Sequence, residues 1–345
     1  MRKIIVYLDQ NHWISLAKAN TQHPQGSTFI EVLSYLKKAV ADGLIVCPLS
    51  LTHYMELSYI GSFKQRSDVA EVMAELSLFY TLPPKDILQK IEMRKTLLNT
   101  FRRVENKNDE TKNILGRGCF FAGNGEERTI GFNGYKFDSI PMLPDLVIRE
   151  KLAPWATGVS LILENELLRG PRDNEVSLLR EKYGYRPEAS RSFAIKRATQ
   201  EDELAELLSK DPKEKKRLSN IVAARYLYWE MFDDLHDLLL ELKIDRDEFI
   251  AVGIEGITKI VKDIPTANVA TTILESNFKN INRPWQKNDL HDLDALVVSV
   301  PYCNIIATDK HNATQLNRNH VGEIYQCTIT SNLLEIPNLI EEILL

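Results

Sequence analysis

The chain is short of several features that mark protein classes, and each shortage argues against one. Four cysteines occur in 345 residues, Cys47, Cys119, Cys303 and Cys327. They are far apart and form no CxxC pair, which argues against both a disulfide framework and a cysteine zinc site. Three of them sit in or beside strand-like apolar runs and are expected as buried free thiols in a reducing compartment. No apolar run approaches the ~20 residues of a membrane helix. The N-terminus reads as a short charged start and a strand that ends on a charged residue, not as a secretory leader. A cytoplasmic protein with no membrane partner is therefore expected. Positive charge is not in excess either: 43 Lys and Arg face 48 Asp and Glu, a net charge of −5. A polyanion would have to be held by local basic patches rather than by the field of the whole molecule. Internal repeats and low-complexity tracts are also missing.

What is present is an ordinary globular composition, 44% hydrophobic and 26% charged, long enough for one large domain or two of common size. Lys3 to Leu8 is a strand-like run that ends at Asp9. Helical spacing follows at 13–19 and, after Ser27, at Phe29, Ile30, Leu33, Leu36 and Val40, where Asp42-Gly43 stops it. A second strand is expected at 44–47, then helices carrying Glu56, and another over 85–103.

From 105 to 137 the chain is polar and glycine-rich, with a hairpin expected around Asn133-Gly134. Helical patterns then dominate to about 280, and 218–242 reads as a single long helix. The last part alternates again: helix 292–300, strand 304–308, a short helix, strand 323–329 and helix 331–344. The fold class expected is α/β, a parallel sheet with helices on both faces. Residues 1–104 and 285–345 would form one sheet-containing core, and 105–284 a mainly helical insertion.

Chemistry concentrates at the strand ends. Asp9 follows the first strand, and Asn304-Ile305-Ile306-Ala307-Thr308-Asp309 repeats that arrangement near the other end of the chain. In an open α/β sheet the C-terminal edge of the strands is where ligands bind. Glu56, on the helix after the second strand, and Asp289 and Asp292, which share a helical face, are further candidates. Converging carboxylates repel one another and raise each other's pKa values. A hard divalent cation such as Mg²⁺ or Mn²⁺ relieves this and readies a water for attack on a phosphodiester.

The string Tyr7-Leu8-Asp9-Gln10-Asn11, the helical Glu56, Asn288-Asp289-x-x-Asp292 before an apolar helix, and Ala307-Thr308-Asp309 together resemble the PIN-domain nucleases. The resemblance implies an α/β/α fold whose strand ends gather three or four acids around Mg²⁺ or Mn²⁺ to cut RNA or single strands. It implies Asp9, Glu56, Asp292 and Asp309 as catalytic acids and metal ligands, with Asp289 as an alternative for the third. It covers residues 1–80 and 285–345, and Thr308 directly abuts Asp309 where many members have a residue between. A toxin, a defence factor and a processing enzyme are all roles compatible with it. A non-catalytic PIN-like module that binds nucleic acid or protein is the alternative.

Other readings compete at each position. An aspartate at a strand end also serves as a helix cap. A phosphotransferase with a nucleophilic aspartate would place a second Asp two residues on, where Asn11 stands. Asn11 can support a metal-bound water or hydrogen-bond the turn. His12 and His53 read as packed or surface residues, and with His291 and His311 they match no zinc spacing.

Three basic stretches qualify for phosphate contacts. One is Arg94, Lys95, Arg102, Arg103 and Lys107. A second is Arg186, Arg191, Lys196 and Arg197, interleaved with Tyr183, Tyr185 and Phe193. The third is Lys213, Lys215, Lys216 and Arg217. Only the second combines charge with aromatic faces that can stack on bases, so Arg186, Arg191, Lys196 and Arg197 are the substrate-binding candidates, with Asn11 beside the acids. RNA or single-stranded nucleic acid is the expected partner, and a protein regulator and a homo-oligomer stay open.

Overall fold

The computed structural model describes residues 3–103, 114–126, 131–132, 135–136, 146–210, 216–279, 285 and 287–345, with the side chains of 131–132, 135–136, 146–157, 190–191, 193–194, 209 and 287 left out. The fold is α/β and mainly helical, with 72% of residues in helices. Contacts divide the chain into two compact units, one of residues 1–83, 115–187 and 333–345, the other of 84–114 and 188–332. This division cuts across the expected core of 1–104 and 285–345 with an insertion at 105–284.

In the first unit the strand Ile4–Leu8 is buried along its whole length and pairs in parallel with Ile45–Val46, in the register Ile4 to Ile45 and Ile5 to Val46. A strand buried on both faces has no polar face to expose, so its sequence is continuously apolar rather than alternating. The helices Gln10–Asn20, Ile30–Ala41, Leu51–Ser58 and Phe63–Ser77 surround this pair in sequence. Trp13, Leu16 and Leu36 from the first two, with Leu57 and Met73 from the others, lie fully in the core.

The helix Phe63–Ser77 ends at Leu78 with φ of 50°. The chain then runs into Tyr80–Thr81, which pairs antiparallel with Gly116–Arg117. Gly118 is required where it stands. Its φ is 87°, and a Cβ there would lie 2.4 Å from Glu164 Oε1. Glu164 on the helix Leu146–Arg169 uses that closeness to accept the Cys119 N–H at 2.8 Å, capping the helix Gly118–Asn124. Arg66, buried, donates to the carbonyls of Arg169, the last residue of the same long helix, and of Pro171 just past it. The hairpin expected around Asn133-Gly134 is present as the pairing of Gly131 with Lys136 and Phe132 with Tyr135.

The second unit is a helical body with a parallel strand pair, Ile305–Ala307 on Thr328–Thr330. The single helix expected over 218–242 is two, Leu218–Glu230 and Phe232–Glu241, broken at buried Met231, whose φ of −133° is not helical. Asp233 and Asp234 then sit in the first turn of the second helix, where its dipole favours negative charge. The strand expected over 323–329 begins only at Thr328, because 321–325 forms a helical turn bounded by His320 and Gln326 in the left-handed region. Gly322 permits this: a Cβ there would lie 2.6 Å from the Cys327 carbonyl oxygen.

Cys47, Cys303 and Cys327 are buried, Cys119 is half-buried, and all four are free thiols. Burial pushes the Cys47 and Cys327 thiols up to about 12. Among the described residues, no helix is long and apolar enough to cross a membrane.

A buried carboxylate ties three segments of the second unit together. Glu92, on the helix Lys85–Thr100, accepts from the Thr266 N–H at 2.8 Å, from the Thr266 hydroxyl at 2.6 Å and from the Tyr302 hydroxyl. Thr266 lies in the first turn of the helix Pro265–Lys279, and Tyr302 precedes the strand Ile305–Ala307. Burial raises the Glu92 pKa, and these three donors pull against it. Replacing Glu92 with Ala strands the buried donors, each costing about 1–3 kcal/mol. We expect Glu92→Ala to lose at least ~2 kcal/mol of stability in urea unfolding, and Glu92→Gln, which keeps an acceptor, to lose clearly less.

Candidate metal centre

The first acid pair is built from the strand Ile4–Leu8 and the helix Leu51–Ser58. Asp9 directly follows the strand and caps the helix Gln10–Asn20: its Oδ1 accepts the Gln10 N–H at 2.6 Å, and its backbone carbonyl accepts from His12 at 2.9 Å. The capping role weighed for this aspartate is thus one it has. A carboxylate that caps a helix can also bind a cation, because each ionised oxygen accepts more than one partner. Asp9 is 8% exposed.

The helix that brings Glu56 is anchored by His53. His53 Nδ1 accepts the Ser50 N–H at 3.0 Å, closing a reciprocal cap at the helix start. That fixes the tautomer, so Nε2 carries the proton and donates to the Leu8 carbonyl at 2.9 Å. The imidazole stacks on Tyr7 with centroids 5.2 Å apart, and Trp13 meets it edge-on at 6.1 Å. Burial lowers its pKa to about 3, against a smaller opposing effect of the Leu8 carbonyl. It is a neutral packing residue that holds the backbone just before Asp9.

Glu56 sits one turn further along the same helix, half-buried, and makes no ion pair among the described residues. Burial and then the Asp9 charge push its carboxyl up to about 8. Burial raises the Tyr7 pKa well above its ordinary value, and Asp9 and Glu56 both add to this. All three groups therefore feel one concentration of negative charge.

The second acid pair lies in the other unit. Asp309, two residues past the strand Ile305–Ala307, caps the helix Lys310–Arg318: its Oδ1 accepts from the His311 N–H at 2.6 Å and the Asn312 N–H at 3.2 Å. The Asn312 side-chain amide donates to Asp309 Oδ2 at 2.5 Å and to Asp292 Oδ2 at 3.5 Å, so one buried amide spans the two carboxylates. Asp292 and Asp289 are both half-buried on the helix Lys287–Ser299. The amide bridge places Asp292 beside Asp309.

That helix is clamped by charge. Asp294 receives Arg197 at 3.0 Å and Lys85 at 3.5 Å, and Glu230 receives Lys85 at 2.5 Å and Arg197 at 3.4 Å. Burial opposes the charge on Lys85, but Tyr226, Asp294 and Glu230 overcome it and raise its pKa. Burial likewise opposes ionisation of Glu230, and Lys85 and Arg197 reverse the sign.

Two sequence candidates therefore change character. Arg197, expected on substrate, is committed to Asp294 and Glu230. Of the others, Lys196 is exposed in the second unit and Arg186 in the first, while the side chains of Arg191 and Phe193 lie outside the described residues. Asn11 is exposed, and its carbonyl accepts from Ser15. In the first basic stretch Arg94 pairs with Glu241 and Arg103 with Glu248; Lys107, Lys213 and Lys215 lie outside the described residues. His311 joins Asn277 and Gln315 in an amide cluster. Among the described residues, no three His, Cys, Asp or Glu come together to hold a metal.

Asn312 is the residue that the sequence did not single out. Its signal was available, since Asp309-x-x-Asn312 puts the two on one helical face.

The Glu56 pKa has a consequence for stability. With a folded value near 8 and an unfolded one of about 4.3, the folded state binds the extra proton between those limits, so stability falls as pH rises through that window in the absence of cations. Glu56→Gln removes that slope. In EDTA its Tm should be higher than that of the parent chain at pH 8 to 9 and closer to it at pH 5, and an unchanged pH profile would show that Glu56 does not carry the raised pKa.

Comparison of the chain with protein-family models, with curated proteins and with solved structures returns no match.

Proposed function

We propose that the chain is a Mg²⁺- or Mn²⁺-dependent endoribonuclease of PIN-like architecture that hydrolyses phosphodiester bonds in RNA. Asp9, Glu56, Asp292 and Asp309 are its acids. The observation that carries this reading is the recurrence of one arrangement: a parallel-paired strand runs into an aspartate that caps the next helix and faces a second acid.

The residues fit a hard cation better than a dedicated cage. Mg²⁺ keeps several waters and takes one or two protein carboxylates, the substrate phosphate supplying more oxygen. Pairs of carboxylates meet that demand, whereas Zn²⁺ wants three or four nitrogen and sulfur ligands. Asp9 with Glu56 in the first unit, and Asp292 with Asp309 in the second, would each offer a pair of carboxylates to an ion, and the capping bonds fix the two strand-end aspartates in place beforehand. When bound, such an ion polarises the phosphoryl oxygen and lowers the pKa of a bound water.

The chain's own residues supply the rest. His53 and the Ser50 cap hold Glu56 and the backbone at Asp9. Asn312 donates to Asp292 and Asp309 and so holds the two carboxylates side by side. Arg197 and Lys85 fix the helix of Asp292 by neutralising Asp294 and Glu230. Lys196 and Arg186 stand in solvent with charge to offer a phosphate backbone.

A second reading, a nucleic-acid-binding module without catalysis, is favoured by one observation: both strand-end aspartates already serve as helix caps. The two part on a simple assay. Asn caps helices as well as Asp does, so Asp9→Asn and Asp309→Asn should keep the fold. Each should lower Mn²⁺-dependent cleavage of single-stranded RNA by about 100-fold, a loss of ~2.7 kcal/mol in transition-state stabilisation. Full cleavage by both variants, or cleavage that survives EDTA, overturns the nuclease. RNA binding in EDTA with no cleavage by the parent chain in Mn²⁺ establishes the binding module instead.

A further inference from the structure

A cavity of about 520 Å³ lies in the second unit between the helices Glu188–Lys210 and Leu218–Glu230. That falls in the range of roughly 300–1,000 Å³ common to small-ligand sites. Its walls bring together three kinds of group. The first is an exposed aromatic face: the Trp229 side chain is 67% exposed, with Tyr228 edge-on to it at 5.9 Å between centroids. The second is a cation in solvent, Lys196.

The third is a buried acceptor. Glu201 is 6% exposed; its Oε1 accepts from Arg225 at 2.7 Å, and its Oε2 has no hydrogen-bond partner among the described residues. An unsatisfied buried acceptor costs about 1–3 kcal/mol, more when it is charged. An N–H from a molecule in the cavity removes that cost. An indole in solvent beside an ammonium is also the combination that stacks on a base while meeting its phosphate.

A carboxylate only accepts hydrogen bonds, which discriminates among bases. Guanine alone presents two neighbouring donors, N1–H and the 2-amine, on its pairing edge. Adenine and cytosine set a ring acceptor beside their amine, and uracil flanks its one donor with two carbonyls, so each would turn a lone pair toward Glu201. Gln200, also in the wall, carries an amide that can donate to the guanine O6.

We propose that this cavity is a guanine subsite for the RNA on which the proposed nuclease acts, with Trp229 under the base, Glu201 accepting N1–H and the 2-amine, and Lys196 on the neighbouring phosphate. The subsite rests on the nuclease reading for the polymer, but base recognition is separable from cleavage and needs no metal.

The test is calorimetric titration of the full chain with GMP, IMP and AMP in EDTA. GMP should bind at least tenfold more tightly than AMP and more tightly than IMP, which lacks the 2-amine. Glu201→Gln should reduce the preference for GMP over AMP by tenfold or more. Trp229→Ala, at an exposed position, should weaken GMP binding at least tenfold. Should Glu201→Gln fail to fold, the comparison of the three nucleotides on the parent chain and the Trp229→Ala variant decide the matter. Equal binding of GMP and AMP, no binding of either, or GMP binding unchanged in Trp229→Ala overturns the subsite. Guanine-selective binding without cleavage in Mn²⁺ removes the nuclease and leaves the subsite standing; cleavage without guanine-selective binding does the reverse.

Discussion

The His53 imidazole carries no charge, and the geometry of the first acid pair depends on that. With Nδ1 taken by the Ser50 N–H and Nε2 donated to the Leu8 carbonyl, the ring joins the end of a buried strand to the start of the helix that bears Glu56. Protonation would place a cation among Tyr7, Trp13 and the strand and would turn Nδ1 from an acceptor into a donor facing an N–H. Burial prevents this over the neutral range, which keeps both contacts in place. Asp9 and Glu56 are then fixed near each other although their charges repel, and burial first, with that repulsion second, raises the Glu56 carboxyl. Local packing thus holds two acids where electrostatics alone would part them.

The second unit meets the same problem with opposite means. Its acids near the strand end are satisfied by donors, Asn312 for Asp292 and Asp309, and by cations, Lys85 and Arg197 for Asp294 and Glu230. Partly buried pairs of this kind contribute little to net stability, yet removing one member leaves a charge uncompensated. Their effect is to fix position: Asp294 is two residues from Asp292, so restraint on one restrains the other. Glu92 works the same way at the start of the helix Pro265–Lys279, where its oxygens take donors that would otherwise be stranded.

Legibility in the sequence follows the range of the interaction. The strands before Asp9 and Asp309 were readable because a buried parallel strand is a short continuous apolar run, and the capping role of both aspartates follows from their place before a helix. Glu56 was readable as an acid on the third helix, but its raised pKa was not, because that arises from burial. The roles of Arg197 and Glu92 were hidden because their partners lie far along the chain: Arg197 looked like a surface cation in an aromatic-rich stretch and is an ion-pair residue. The break at Met231 and the helical turn at 321–325 were missed because both depend on single backbone positions that apolar periodicity does not register. Glu201 and Trp229 meet at one cavity from two helices, and neither segment alone suggests it.

The central claim is that the strand-end carboxylates hold a divalent cation, and counting bound Mn²⁺ by electron paramagnetic resonance tests it most directly. The amplitude of the free Mn²⁺ signal falls as ions bind, so titration of the full chain gives their number and affinity without any assumption about substrate. The account predicts one or two ions bound by the parent chain, with Asp9→Asn weakening binding at the first pair and Asp309→Asn at the second. A free-ion signal undiminished by the parent chain, or ions bound equally well by both variants, would contradict it.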